Sequence, residues 1–281
     1  MNIEVLKTVK MFVGGEFIRS ESGRTYSFCP FNNIEYARVC GATRKDFRNA
    51  VDKAKGGFKN WSSRTAYNRS QILYRVAEMT QGRYLDLVDN FVEVLGMPEE
   101  AAKEEIQKAI DTMVWYAGLC DKYTQVLGAV NPVNSNYHNF STPEPMGIIA
   151  YIENENFSFV RLIDHIFSLL CTGNSVIALL NKENPIMTTI LGEIFATSDV
   201  PAGTINLLSG DLEELAETIG SHMEVQGIYF QSERKDLLAK IKLLGVENMK
   251  RINNITSKTT QDINRVINFV EVKTVWHPIG I

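Results

Sequence analysis

Apolar positions along the chain change period several times, and each change predicts an element. The run Met11 to Ser20 sets two short apolar strands around Gly14-Gly15, the pattern of a hairpin. Thr25 to Phe28 and Tyr36 to Cys40 predict two further strands, with Pro30 and Asn32-Asn33 turning between them. The period then lengthens to that of a helix. Thr43 stands as a cap before Phe47, Ala50, Val51, Ala54 and Phe58, which share one face, and Gly56-Gly57 weakens the end of that helix. A second helix begins near Thr65 and presents Ile72, Leu73, Val76 and Ala77, and a third runs from Tyr84 to Leu95. Pro98 opens a fourth, with Glu99 and Glu100 at the positive end of its dipole. Its apolar stripe is Ile106, Ala109, Ile110, Met113, Val114 and Ala117, and the charge run Glu99 to Lys108 reads as its solvated face.

Asn131 to Pro145 has no helical period and reads as a linker or an extended arm. After it, short apolar runs alternate with helical ones. The predicted strands are Gly147 to Ile152, Ser175 to Leu180, Thr204 to Leu208, Val225 to Phe230 and Met249 to Asn253. The helices between them are Phe157 to Leu170, Pro185 to Thr197, Leu212 to Ile219 and Glu233 to Leu244. Such alternation with short connections demands a parallel sheet covered by helices on both faces, the doubly wound, Rossmann-like α/β layout. Val266 to Trp276 then predicts a lone strand, reached through the polar stretch Thr256 to Asn264 with no helix between. Its backbone donors and acceptors need a partner: another protein, the chain's own arm, or a dimer mate.

Composition narrows the function classes. The 281 residues allow one large domain or two modest ones, and 44% hydrophobic with 22% charged residues is an ordinary globular balance. A net charge of −4 speaks against a nucleic-acid footprint. No apolar run is long enough to span a membrane, and Met1 to Lys10 does not read as a signal peptide, so a cytoplasmic location is expected. Cys29, Cys40, Cys120 and Cys171 form no CxxC pair, and His138, His165, His222 and His277 show no metal-ligand spacing, so neither a disulfide framework nor a metal site is expected.

A series of segments, in order, resembles the aldehyde dehydrogenase superfamily. They include FVGGEF near Gly14, FKNW from Phe58, Gln71-Ile72-Leu73-Tyr74-Arg75, Trp115-Tyr116-Ala117-Gly118 and Glu144-Pro145-Met146-Gly147. Gly173-Asn174-Ser175-Val176, Val200-Pro201-Ala202-Gly203 and Ser221-His222-Met223 continue the series, and VEVKTVW is similar to the family's last oligomerisation strand. The resemblance implies an N-terminal hairpin and helical part over 1–130, an oligomerisation arm over 131–147 and a Rossmann-like part over 148–255. It further implies a short connection over 256–265 in place of the catalytic domain, and an oligomerisation strand over 266–281. Within the superfamily, Thr65 to Tyr74 is similar to the shortened, noncatalytic second module of the family-sixteen enzymes.

The functional positions depart from the family's pattern. Asn156 stands where the family has an oxyanion-hole Asn, within Glu155-Asn156-Phe157-Ser158 rather than Trp-Asn-Phe-Pro. Leu179 and Lys182 stand where a Lys and a Glu hold the cofactor's ribose, so an amine has become an alkyl chain and an acceptor a donor. Ser232 and Glu233 stand in the phosphate-facing loop, which has no Gly and brings a carboxylate expected to repel phosphate. No Glu follows Met249-Lys250-Arg251-Ile252, and no Cys follows Thr256. The expectation is therefore a noncatalytic aldehyde dehydrogenase-like protein without a bound cofactor. It would associate with itself or with a full-length aldehyde dehydrogenase through residues 131–147 and 266–281. The alternatives are a weak NAD(P)-binding protein or an oxidoreductase subunit that completes an aldehyde dehydrogenase complex.

Overall fold

The computed structural model describes residues 6–31, 34–254 and 260–280. Its first strands are β1 (Lys7–Val9), β2 (Met11–Val13), β3 (Glu16–Ile18), β4 (Thr25–Phe28) and β5 (Ala37–Cys40). Helices α1 (Arg44–Ser62), α2 (Ala66–Gly82), α3 (Tyr84–Leu95), α4 (Glu99–Leu119) and α5 (Tyr123–Leu127) follow, then the arm strands β6 (Ala129–Asn131) and β7 (Tyr137–Pro145). The alternating part comprises β8 (Ile148–Ile152), α6 (Phe159–Leu170), β9 (Ser175–Leu180), α7 (Met187–Ala196), β10 (Ile205–Ser209), α8 (Leu212–Ser221), β11 (Gly227–Phe230), α9 (Lys235–Leu244) and β12 (Arg251–Asn253). Helix α10 (Ile263–Ile267) and strand β13 (Val270–Pro278) come last.

Five of these strands make the parallel sheet that the alternation demands, in the order β12-β11-β8-β9-β10. Every residue of β8, β9, β10 and β11 is buried, and successive side chains enter opposite layers. Ile149, Tyr151, Val176, Ala178 and Leu207 join the core under α2, α4, α6 and α7. Ile148, Ala150, Ile177, Leu179 and Leu208 join the core under α1, α8 and α9.

The hairpin β2-β3 extends this sheet, with β2 antiparallel to β10. Its turn needs Gly14 and Gly15 at φ of 63° and 83°, and Gly14 donates its N–H to Asn206 Oδ1 of β10 at 2.9 Å. Helix α1 is locked by a reciprocal box between Thr43 and Asp46. It does not weaken at Gly56-Gly57 but runs on to Ser62. Gly57 is needed there, because a Cβ would come within 2.1 Å of the Gly203 backbone.

The last segment departs from the sequence reading. Val266 and Ile267 are helical rather than extended, because Asp262 caps α10 by accepting the Asn264 N–H at 2.9 Å. The expected connection over 256–265 lies partly outside the described residues; its described part forms the start of α10. Strand β13 then pairs antiparallel with β7 along its whole length, from Val270 opposite Pro145 to Pro278 opposite Tyr137. Within the chain, one edge of this strand is thus taken by the chain's own arm. The resulting sheet has the order β13-β7-β6.

Helix α10 is held by a buried polar network. Arg265 Nε lies 2.6 Å from Asp164 Oδ2 of α6, with both side chains almost wholly out of solvent. Asp164 Oδ1 also accepts from Tyr116 Oη at 3.0 Å and from the Gln261 N–H at 2.8 Å. Arg265 Nη1 donates to Tyr229 Oη at 2.8 Å and lies 3.2 Å from His165 Nε2. A guanidinium only donates, so His165 Nε2 is the acceptor and its Nδ1–H faces Tyr151 Oη at 3.1 Å. Burial and the neighbouring Arg265 push the His165 imidazole well below its usual 6.5, so it is neutral.

Two outcomes follow. Arg265→Met leaves Asp164 buried without its partner and should cost about 3–5 kcal/mol in denaturant unfolding, while adding Asp164→Leu should recover most of the loss. The neutral His165 stabilises the fold fully above the unfolded value near 6.5, and that contribution is lost as pH falls below it, because the unfolded chain takes up the proton first. Glu153, whose carboxyl burial raises to about 8, titrates with the opposite sign, so the comparison is made against His165→Gln, whose unfolding free energy should fall less between pH 7 and 5.

Candidate functional site

In doubly wound sheets the ligand crevice lies outside the carboxyl ends of the strands, where the strand order reverses. Here β8 is followed by β9 and β10 on one side and flanked by β11 on the other. A cleft of about 420 Å³ opens at these ends. Ile152, Leu179 and Leu212 give it an apolar floor, and Glu153, Glu155 and Lys182 stand on its walls with Asp211 and Arg234.

Of the positions singled out in the sequence, Leu179 and Lys182 line this cleft, while Asn156 lines a separate small void and Ser232 and Glu233 lie in the loop before α9. Leu179 is buried in β9 between Ile152 and Leu208 and offers only methyl groups. Lys182 donates to Asp211 Oδ2 at 2.8 Å, and this bond holds the Asp211 carboxyl below its usual value. Asp211 in turn caps α8 through the Glu213 N–H at 2.8 Å. The lysine is thus tied to a helix cap rather than standing free for a ribose hydroxyl.

At the loop before α9 the structure corrects the sequence reading. The helix begins at Lys235, not Glu233, because Ser232 Oγ accepts the Arg234 N–H at 3.2 Å and holds a turn there. Glu233 points to solvent and is not the carboxylate that occupies the loop. That carboxylate is Glu155, which accepts from Ser232 Oγ and from the Glu233 N–H at 2.8 Å. An oxygen anion of the chain's own therefore sits on the donors that precede the helix. A pyrophosphate there would have to displace it, and a like charge beside it disfavours the exchange. Together with the alkyl group of Leu179 and the tethered Lys182, these residues do not fit a dinucleotide.

Asn156 lies in the loop after β8. Its N–H donates to Asn154 Oδ1 at 2.9 Å, and its carbonyl accepts from Arg161 at 2.8 Å. Its neighbours around a small void of about 10 Å³ include Tyr151, Glu153, His165 and Gln231. None of the cysteines lines that void or the cleft. Cys120 and Cys171 are buried at helix ends, where desolvation raises Cys120 to about 12 and Cys171 well above its usual value. No cysteine thiol therefore stands beside Asn156 in the described structure. Among the described residues no group of His, Cys, Asp and Glu side chains is placed to hold a metal ion, and no helix is long and apolar enough to cross a membrane.

One residue of the site escaped the sequence reading. Glu153 directly follows the apolar strand β8, is 7% exposed, and burial raises its carboxyl to about 8. Its Oε2 accepts the Asn181 N–H at 2.8 Å. The available signal was an acidic residue directly after a fully apolar strand, at the point where the sheet order reverses.

Comparison with known proteins agrees with this fold. The family model for the aldehyde dehydrogenase family matches residues 17–253. The D-glyceraldehyde dehydrogenase (NADP(+)) of Picrophilus torridus is 30% identical over 219 residues, which cover 77% of this chain and 44% of that protein. Retinal dehydrogenase 2 of Mus musculus is 27% identical over 256 residues, covering 89% and 49%. The chain thus spans about half the length of the curated relatives it matches. Among solved structures, the NAD+ complex of aldehyde dehydrogenase from Bacillus cereus superposes with a TM-score of 0.81 at 24% identity, over 88% of this chain and 50% of that one. The match over most of the sequence, carried by the same sheet and helices, means that this chain belongs to the aldehyde dehydrogenase family.

Proposed function

We propose that this chain is a noncatalytic member of its family that acts as a structural or regulatory subunit, pairing with itself or with a catalytic aldehyde dehydrogenase. The observation that carries this reading is the sheet β13-β7-β6. Strand β12 stops at Asn253 and β13 starts at Val270, so nothing the size of a catalytic domain separates them. Strand β13 is covered on one side by β7, and its other edge is open in this sheet. An open edge presents unpaired backbone groups to any strand that reaches it.

Exposed apolar side chains on the same sheet support this reading. Val272, Trp276 and Tyr137 are 62%, 58% and 42% exposed and share one face by register, with the Trp276 and Tyr137 rings 6.0 Å apart. Val130, 72% exposed, lies on the other face opposite Phe140. Large aromatic and apolar side chains left open on one small sheet favour association.

The relatives suggest a second reading, a nucleotide-binding protein, since one of the superposed structures is an NAD+ complex. Glu155 on Ser232 and Glu233 disfavours it, as does Lys182 on Asp211. We therefore propose that neither NAD nor NADP is a resident cofactor.

Light scattering after size exclusion should give a multiple of the 31.7 kDa chain mass, or a complex when a catalytic family member is co-expressed. Val272→Glu with Trp276→Glu should return the 31.7 kDa monomer without loss of helical content. A monomeric wild-type chain that also fails to capture such an enzyme overturns the reading. Calorimetric titration of the wild-type protein with NAD and NADP should show no saturable heat up to about 1 mM. Micromolar binding of either would show that the carboxylate is displaced.

A further inference from the structure

The open edge of β13 has a defined hydrogen-bonding phase. In an antiparallel strand the N–H and C=O of one residue point to the same side, and those of the next residue to the other. The Ile279 N–H donates to the Asn136 carbonyl at 3.0 Å, one step beyond the pairing of Pro278 with Tyr137. By alternation, Glu271, Lys273, Val275 and His277 also turn their backbone groups to β7. The outer edge therefore belongs to Val270, Val272, Thr274, Trp276 and Pro278. The Val270 carbonyl agrees with this phase, because it accepts from Arg251 Nη1 at 2.7 Å and not from Pro145, which has no N–H.

The two ends of that edge are closed in different ways. Arg251 holds the carbonyl of Val270, and its Nη2 meets Glu271 at 2.9 Å. Pro278 has no N–H to offer. Between these ends stand Val272, Thr274 and Trp276, each with an outward N–H and an outward carbonyl that no other described residue meets. The free segment is symmetric about Thr274.

We propose that β13 pairs antiparallel with the β13 of a second copy, about a two-fold axis at Thr274, joining the two arm sheets into one. The proposal rests on the association reading above and names its partner and register. With that axis Val272 exchanges both backbone bonds with Trp276 of the copy, and Thr274 with Thr274 of the copy. No group of the free segment is left over. Moving the axis to Lys273 turns the Trp276 N–H toward the carbonyl that Arg251 already holds, and sets two ammonium groups opposite each other. Moving it to Val275 leaves the Val272 carbonyl facing Pro278, which has no donor. An axis at Val272 or Trp276 leaves the other end of the segment without a partner.

The side chains fit the same axis. Exposed Val272 meets exposed Trp276 of the copy on one face, a β-branched residue against an aromatic one. On the other face Glu271 meets His277 of the copy, an acid opposite a base, and the aliphatic stem of Lys273 lies along Val275 of the copy. A two-fold contact has to be self-complementary, and both the backbone groups and these pairs are so only about Thr274.

The test is cysteine cross-linking with diamide as the oxidant, in a Cys29→Ser background because Cys29 is the exposed native thiol. Directly opposed residues lie about 5.5 Å apart at Cα, within the roughly 4.4–6.8 Å that a disulfide spans. Thr274→Cys should give a covalent dimer of the 31.7 kDa chain, and Val272→Cys mixed with Trp276→Cys should give another. Val272→Cys alone should stay single. Amide hydrogen exchange needs no variant and decides the matter should Thr274→Cys not fold. The N–H groups of Val272, Thr274 and Trp276 should lose protection about tenfold or more on dilution to the monomer, while those of Lys273 and Val275, which face β7, keep theirs. The proposal is overturned by Thr274→Cys that stays single, by Val272→Cys that cross-links to itself, or by outward N–H groups whose exchange ignores concentration. A dimer, or a complex with a catalytic family member, without the Thr274→Cys cross-link sinks this proposal alone. A monomer that captures no such enzyme sinks the association reading with it.

Discussion

Burying a guanidinium and a carboxylate costs several kcal/mol of desolvation per ion, and the pair repays this only when the remaining hydrogen-bond capacity is filled. Asp164 and Arg265 meet that condition beneath the central sheet. Tyr116, Gln261 and Tyr229 complete the two ions, and His165 is held neutral beside them. The pair pins α10 to α6, and α10 is what launches β13 along β7. The arm sheet, and with it the surface proposed for association, is thereby tied to a buried ion pair in the core. Asn174 reinforces the same junction, donating to the Phe269 carbonyl at 2.8 Å and accepting the Gly147 N–H at 2.9 Å.

The cleft is the other place where a small set of residues changes the meaning of an inherited architecture. The strand ends, the reversal point and the helix that begins beside them are those of a nucleotide-binding fold. The side chains there satisfy one another instead. Lys182 serves a helix cap, and Glu155 serves as the anion at the loop before α9. Leu179 adds an alkyl group there that offers neither donor nor acceptor.

Much of this was legible in the sequence because it rests on periodicity. The five parallel strands, their covering helices and the position of the arm follow from apolar runs whose spacing reports burial directly. The resemblance also singled out Leu179 and Lys182, which line the cleft. What escaped was set by contacts between distant residues. Arg265 gives no local sign that it pairs with Asp164, and without that pair Val266 and Ile267 look like strand residues because they are β-branched. Glu155 was visible as a departure from the family's Trp, but its role needs the loop at Ser232, 77 residues away. Glu233, the carboxylate that local order favoured, was displaced when the turn at Ser232 moved the helix start.

The pairing of β13 with β7 also fixes an order of events in time. Ser141 and Thr274 meet across 133 residues, and the segment between them is the whole alternating sheet. Loop closure of that length is unfavourable in a flexible chain but inexpensive once the intervening core is compact. The outer edge of β13 therefore comes into being only after the central sheet has formed. A half-folded chain has no such edge to offer, so any association through it is restricted to copies that have already folded.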